Sequence, residues 1–295
     1  MKNTKNRERL TKSRVGDIIF YCILLAWPLL QFGVFYVGTS LTSLVIGFRE
    51  NGNGAFSLTN FLDGYKNLVV DPAWRDALFH SVQAYLITVV ISVPLGLLFS
   101  YYIYKKLFGS KLFRIILFLP SIISALVLAS IFIAFAGKAG FGNLFKDTKS
   151  SFWLIMAFNI WMSFGTNVLM YSNAMGNISP EVIEAAKLDG CSPFREFFHV
   201  ILPAIYPTIT VFLVVGFAGV FINQFNLPNF FGLDGGARWE TIGYRLYYLA
   251  LGAKNSGSLA LRAKYAAYGV SLTLIAVPFT YLIKYLLERF GPSEK

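Results

Sequence analysis

The sequence predicts an all-α integral membrane protein with six transmembrane helices, because of its composition and its long apolar stretches. Of its 295 residues, 56% are hydrophobic and only 14% are charged, whereas soluble domains carry about 25% charged residues. The mean hydropathy is +0.58. A helix that crosses a bilayer needs about 20 mainly apolar residues, and six stretches of the chain satisfy that requirement.

The six predicted spans form a single membrane domain over residues 17–290, preceded by a basic tail over residues 1–16. Their approximate bounds are 17–37, 77–104, 112–136, 152–175, 203–225 and 265–287. A signal peptide is the alternative for the first stretch, but its apolar region would be about 7–15 residues long and followed by small residues. The first stretch is longer and aromatic to its end, which favours an uncleaved helix.

The distribution of positive charge predicts the orientation of the chain. The net charge of +11 could indicate nucleic-acid binding, but the basic residues cluster in the N-terminal tail and in short gaps between apolar runs. That pattern is typical of cytoplasmic loops, so we expect no nucleic-acid partner. The tail and the loop over residues 105–114 are predicted to be cytoplasmic, as are both termini. The basic hairpin between spans five and six is an exception to the rule.

Residues 177–203 are polar enough to leave the bilayer and carry two helix-start signals. Ser179-Pro180-Glu181 and Ser192-Pro193 each combine an N-cap residue with proline at the first helical position. Gly190 is placed to end the first helix in a left-handed conformation. The segment therefore predicts two short helices at a sharp angle, joined to span five. The alternative is a solvated amphipathic loop helix.

The same segment resembles the EAA loop of ABC importer permeases, whose pattern is E-A-A-x3-G-x9-I-x-L-P. Here the matching residues are Glu184-Ala185-Ala186, Gly190 and Val200-x-Leu202-Pro203, with Val in place of Ile. The resemblance is to the carbohydrate type and implies the type I ABC importer permease fold, with this loop as the coupling helix that docks on an ATPase. The residues given that role are Glu184, Ala185, Ala186, Asp189 and Gly190.

A second stretch extends the resemblance toward the C-terminus. Phe225-Asn226, Gly235-Gly236, Thr241 and Tyr244 are similar to a segment of the first-type permease subunit, although Asn226 stands where that family usually has an acid and Ala237 where it usually has proline. Because of those two departures, the resemblance does not define the subtype of permease or the sugar that it transports.

The resemblance also implies the partners and the location of the chain. They are a second homologous permease subunit that forms a heterodimer, two ABC ATPase subunits, an extracellular or periplasmic solute-binding protein, and a sugar or oligosaccharide. No G-x4-G-K-[ST] phosphate loop occurs in the sequence, so ATP and Mg are expected on the ATPase and no cofactor on this chain. His80 and His199 lack neighbouring ligand candidates, so no metal site is expected. The implied location is a bacterial cell membrane.

Polar residues within spans four and five are the candidates for contact with a sugar. Such residues are costly in a bilayer unless they face the bundle or a cavity. The candidates are Asn159, Ser163, Asn167 and Tyr171 in span four, with Asn223 and Gln224 at the end of span five. The alternative is hydrogen bonding between helices, for which Ser and Asn are common.

Two other functions remain open. One is an ABC importer for a different solute, because the loop motif alone does not define the substrate. The other is a stand-alone secondary transporter, which would have inverted repeats and ionisable residues within the membrane; neither is evident in the sequence.

Overall fold

The computed structural model describes residues 2–50, 54–233, 237 and 239–292, and only the backbone course of residues 2–15 and 60. Its described elements are helical. In chain order they are α1 (2–47, with the apolar part Gly16–Gly47), α2 (Leu58–Val70), α3 (Pro72–Tyr104), α4 (Ser110–Ile122), α5 (Ala125–Lys138), α6 (Thr148–Gly176), α7 (Pro180–Leu188), α8 (Pro193–Ala204), α9 (Tyr206–Gly219), α10 (Leu227–Phe231), α11 (Ile242–Asn255) and α12 (Leu259–Phe290).

Within the described residues, four helices are long and apolar enough to cross a membrane, or six spans if each of two bent helix pairs counts as one. The four are α1, α3, α6 and α12, and the bent pairs are α4 with α5 and α8 with α9. The fold is therefore all-α, as the composition predicts.

The third predicted span, 112–136, corresponds to two helices with a sharp bend between them. Helices α4 and α5 meet at an angle of 101°. Ile123 and Ser124 between them have extended ψ values of 142° and 132°, which end the helix. Pro120 lies in the last turn of α4, where it lacks the N–H that an α-helical hydrogen bond requires.

The fifth predicted span, 203–225, also corresponds to a bent pair of helices, whose bounds differ from the predicted ones at both ends. Helices α8 and α9 meet at 64° around Ile205, and α9 ends at Gly219. The chain turns after Gly219, and the predicted helix cannot extend to residue 225 or 226, because Phe225 and Asn226 have left-handed φ values of +47° and +58°.

The centre of the bundle is the contact between α3 and α6, where small residues allow a close approach. The Ser100 hydroxyl donates to the Val168 carbonyl at 3.0 Å. A Cβ on Gly96 would lie 3.4 Å from the ring of Tyr171. By contrast, residues 16–46 of α1 include no residue that is buried within this chain, so the surface of that stretch is available to lipid or to another subunit.

Two sets of contacts define the two ends of the bundle. At one end, the Tyr206 hydroxyl donates to the Leu287 carbonyl at 2.8 Å, which brings the end of α12 to the start of α9. At the opposite end, the Ile242 N–H donates to the Ser81 hydroxyl at 3.0 Å. The loop that carries α7 therefore lies at the end where α12 finishes, and α11 lies at the other.

Candidate functional site

Helix α7 begins at Pro180, as the sequence predicts, but Ser179 does not cap it in the predicted way. The Ser179 side chain accepts no backbone N–H. Its hydroxyl instead donates to the carboxylate of Glu181, and this hydrogen bond lowers the pKa of Glu181. The carboxylate remains at the N-terminus of α7, where the positive end of the helix dipole stabilises a negative charge.

Helix α7 ends in a Schellman motif around Gly190. The Gly190 N–H donates to the Lys187 carbonyl and the Cys191 N–H donates to the Ala186 carbonyl, both at 3.0 Å. This pair of bonds requires a left-handed residue between them, and Gly190 has a φ of +70°. The positive φ predicted for this glycine is confirmed.

The loop is attached to the membrane helices by apolar contacts and by a capped second helix. The Ser192 side chain accepts the Arg195 N–H at the start of α8, as the sequence predicts. Ile183 of α7 is 8% exposed and packs with Phe197 and Ile201 of α8 and with Met175 at the end of α6. Helix α7 is therefore packed directly against the ends of α6 and α8.

The outward face of the loop presents the predicted coupling residues. Glu184, Ala185, Asp189 and Gly190 are exposed, and Ala186 is half-buried. Two large apolar side chains accompany them: Leu188 is 89% exposed and Phe194 is 73% exposed. A short helix that ends in a Schellman motif and carries small residues and projecting apolar side chains is suited to a groove on a partner protein.

Asn159 lies at a hydrogen-bonded junction between α6 and the turn that follows α9. Its Nδ2 donates to the Phe225 carbonyl at 2.9 Å, and its Oδ1 accepts from Asn226 Nδ2 at 2.7 Å. Nδ2 also donates to the Ile155 carbonyl at 2.8 Å. The Asn159 amide therefore holds the left-handed turn against α6. This arrangement agrees with the alternative to sugar contact, in which the residue forms hydrogen bonds between segments of the chain.

The other span-four candidates also make contacts within the chain. Ser163 donates to the Asn159 carbonyl at 3.0 Å. Asn167 Nδ2 donates to the Ser92 hydroxyl of α3 at 3.3 Å. Tyr171 is 1% exposed and its ring lies against Phe212. Tyr171 is thus part of the core, while Asn159, Ser163 and Asn167 remain half-buried.

The span-five candidates lie on the turn after α9 rather than within a helix. Asn223 is exposed, and its Oδ1 accepts the Phe225 N–H at 2.8 Å. Gln224 is half-buried. Two further polar residues of this turn, Asn226 and Asn229, were not among the predicted site residues. Asn229 Nδ2 donates to Asn226 Oδ1 at 3.1 Å. The tolerance of asparagine for positive φ is the signal that could have indicated this turn.

The segment Gly235-Gly236 lies outside the described residues. Thr241 and Tyr244, from the same predicted segment, lie beside the turn: the Thr241 hydroxyl donates to the Asn223 carbonyl at 3.0 Å, and the Tyr244 hydroxyl donates to the Gly232 carbonyl at 2.9 Å. In the part of the chain that the structure describes, no three His, Cys, Asp or Glu residues are grouped as metal ligands would be.

Comparison with solved structures gives a fold similar to that of known transporters. A bacterial ABC transporter involved in the import of the acidic polysaccharide alginate has a chain that superposes with a TM-score of 0.71 at 18% identity, covering 96% of this chain and 99% of that one. The alginate transporter in complex with an alginate pentasaccharide-bound periplasmic protein gives a TM-score of 0.69. At this identity, the likeness shows the fold.

Curated relatives include several permeases. A probable ABC transporter permease protein, the MG188 homolog of Mycoplasma pneumoniae, is 30% identical over 61% of this chain and 56% of its own length. The arabinooligosaccharides transport system permease AraP of Bacillus subtilis is 25% identical over 65% of this chain and 66% of its own length. The sn-glycerol-3-phosphate transport system permease UgpA of Yersinia pestis is 25% identical over 79% of this chain and 80% of its own length. The chain thus spans less than two thirds of the first two of these relatives.

The family model of the binding-protein-dependent transport system inner membrane component matches residues 92–292. That range contains the loop with α7 and the helices that support it, and it includes the turn joined to Asn159. The match covers more than half of the 295 residues. The chain therefore belongs to the family of binding-protein-dependent transport system inner membrane components.

Proposed function

We propose that this chain is the transmembrane permease subunit of an ATP-driven ABC importer that takes up a sugar or oligosaccharide from a binding protein. The observation that carries the proposal is α7, an exposed helix ended by the Gly190 Schellman motif and packed on membrane helices through Ile183. A partner that moves α7 would move the ends of those helices, which is what an import cycle requires.

A carbohydrate substrate is supported by the relatives and by the chemistry of the spans. AraP is named for arabinooligosaccharides, and the structural neighbour is described as an importer of alginate. A further relative, AmyD of Thermoanaerobacterium thermosulfurigenes, is named for starch degradation products. The middle of α6 carries Asn159, Ser163 and Asn167 and no ionisable carboxylate or amine between Lys149 and Gly176. Neutral hydrogen-bonding groups suit a polyol. A different solute remains the alternative, because UgpA is named for glycerol 3-phosphate.

The proposed complex contains a second, similar permease subunit as the heterodimer partner, two ABC ATPase subunits that carry ATP and Mg, and an external binding protein. The sequence lacks a phosphate loop, so this chain supplies no nucleotide site of its own. Its role is transport rather than catalysis.

Co-purification and reconstitution test this proposal. The tagged chain, isolated from its native membrane in mild detergent, should bring down an ABC ATPase. Proteoliposomes of that complex, supplied with ATP and the binding protein, should import one class from a panel of maltooligosaccharides, arabinooligosaccharides, alginate oligosaccharides and glycerol 3-phosphate. Uptake of glycerol 3-phosphate alone would favour the alternative solute. Isolation of an active transporter without any ATPase would overturn the proposal.

We propose a bacterial cell membrane as the location, with both termini and the α7 loop on the cytoplasmic side. Phe108, between α3 and α4, is 99% exposed and lies near the basic residues of the 105–114 loop. In a Cys22→Ser, Cys191→Ser background, Phe108→Cys should react with an impermeant maleimide only after the membrane is opened. The matched control is Asn255→Cys at the end of α11, which should react in intact cells. Reversed labelling would contradict the orientation.

The sugar-contact prediction is sharpest for Gln224 and Asn159. Gln224→Ala should lower uptake while leaving thermal stability unchanged, because the half-buried amide is available to a solute. Asn159→Ala should lower both, since it leaves the Phe225 carbonyl and the Asn226 amide without partners. Each lost hydrogen bond is worth about 0.5–1.5 kcal/mol. Uptake assays and thermal unfolding of the purified complex distinguish the two effects. Normal uptake by both variants would show that the cavity lies elsewhere.

A further inference from the structure

The end of α3 and the start of α8 are joined by a nearly buried ion pair. Lys105, the first residue after α3, lies with its Nζ 2.5 Å from Glu196 Oε1, although the two residues are 91 positions apart. The Glu196 side chain is 4% exposed and that of Lys105 is 24% exposed. A carboxylate so little exposed to water depends on its partner for stabilisation.

Aromatic residues surround this pair and add a second link between the same two helices. Lys105 Nζ lies 5.4 Å from the ring centroid of Tyr101 and 6.0 Å from that of Tyr104, within the range of a cation–π interaction. The Tyr101 hydroxyl donates to the Pro193 carbonyl at 3.1 Å, and its ring lies 5.1 Å from that of Phe197. The junction therefore combines a charge pair, a hydrogen bond and ring contacts.

Helix α3 is placed to carry motion from this junction into the bundle. Beyond Tyr101 it contacts α6 through Ser100, Gly96 and Ser92, which meet Val168, Tyr171 and Asn167. The loop helix α7 is fixed to α8 through Ile183 and Phe197. A displacement of α7 thus reaches α3 through α8, provided that the Lys105–Glu196 junction holds.

We propose that Lys105 and Glu196 are positioning residues that lock α8 to the cytoplasmic end of α3, so that the α7–α8 loop and α3 move as one body. The inference rests on the proposed function in assigning that motion to an ATPase. The junction resists opening because separation of the pair would leave the Glu196 carboxylate without a counter-charge in a largely buried site.

The first test is a distance measurement that needs no substrate. Spin labels at Val182→Cys on α7 and Phe108→Cys beyond α3, in the Cys22→Ser, Cys191→Ser background, should give one narrow distance distribution. Glu196→Gln and Lys105→Gln should each broaden it, and the exchanged pair Lys105→Glu with Glu196→Lys should narrow it again. The matched control is Glu288→Gln. Glu288 also forms an ion pair, with Lys284 Nζ at 3.7 Å, but its side chain is 58% exposed.

The second test uses the proteoliposomes and whichever oligosaccharide the parental complex imports. Both single variants should keep the ATPase bound and hydrolyse ATP but lose sugar transported per ATP, and the exchanged pair should regain it. Unchanged distance distributions in both single variants would overturn the proposal, as would loss of the ATPase from them. If the parental complex imports nothing, the proposed function fails, while the distance measurement still decides whether the junction is rigid.

Discussion

Gly165→Ala is expected to prevent normal assembly of the bundle. Gly165 of α6 is buried where that helix crosses α4. A Cβ at this position would overlap the Leu117 carbonyl oxygen and would lie 2.7 Å from the Leu117 carbonyl carbon and 2.9 Å from the Phe118 Cα. Carbon–oxygen contacts between helices are normally about 3.3–3.6 Å. The two helices would therefore have to move apart.

The cost is large because the obstructing atoms belong to the backbone and cannot rotate away. Overpacking of an interior costs about 1–3 kcal/mol, occasionally more, and we expect the upper end here. The measurement is the melting temperature and the monodisperse yield of the detergent-solubilised chain. Gly176→Ala is the matched control on the same helix, since a Cβ there meets nothing within 4 Å. Equal melting temperatures for Gly165→Ala and the parent would contradict the helix crossing.

Gly190→Val is expected to abolish uptake while leaving the membrane helices folded. No atom lies within 4 Å of a Cβ at this position, so the effect comes from the φ of +70° alone. A β-branched residue resists that conformation, and strained backbone positions cost about 1–3 kcal/mol. The end of α7 would then rearrange, which would break the bonds from Gly190 to Lys187 and from Cys191 to Ala186.

Gly190→Asn is the control that isolates the backbone effect, because asparagine tolerates the left-handed region. It should retain most of the uptake that the valine variant loses. The measurement is sugar uptake together with co-purification of the ATPase. Glu184→Lys should also impair docking, because it reverses a charge on the exposed face of α7 without changing the backbone. Full uptake by both Gly190→Val and Glu184→Lys would remove the coupling assignment from this loop.

Local signals in the sequence determined the parts of the molecule that depend on nearby residues. Apolar runs of sufficient length predicted membrane helices, since a bilayer requires the backbone of a span to be satisfied internally. Ser192-Pro193 predicted the start of α8, and Gly190 predicted a left-handed helix end. The spacing from Glu184 to Pro203 identified the family. Each of these inferences concerns residues within a few turns of one another.

The tertiary structure alone decided which distant segments meet. The bends of 101° and 64° lie within apolar stretches whose composition does not distinguish a straight span from a broken one. Three contacts join residues 47 to 91 positions apart: those of Asn159 with the turn after α9, the crossing at Gly165, and the Lys105–Glu196 pair. Such contacts depend on how helices pack, because a polar group or a glycine in a span is compatible with many neighbours. Sequence periodicity fixes the face of a helix, and packing selects the partner of that face.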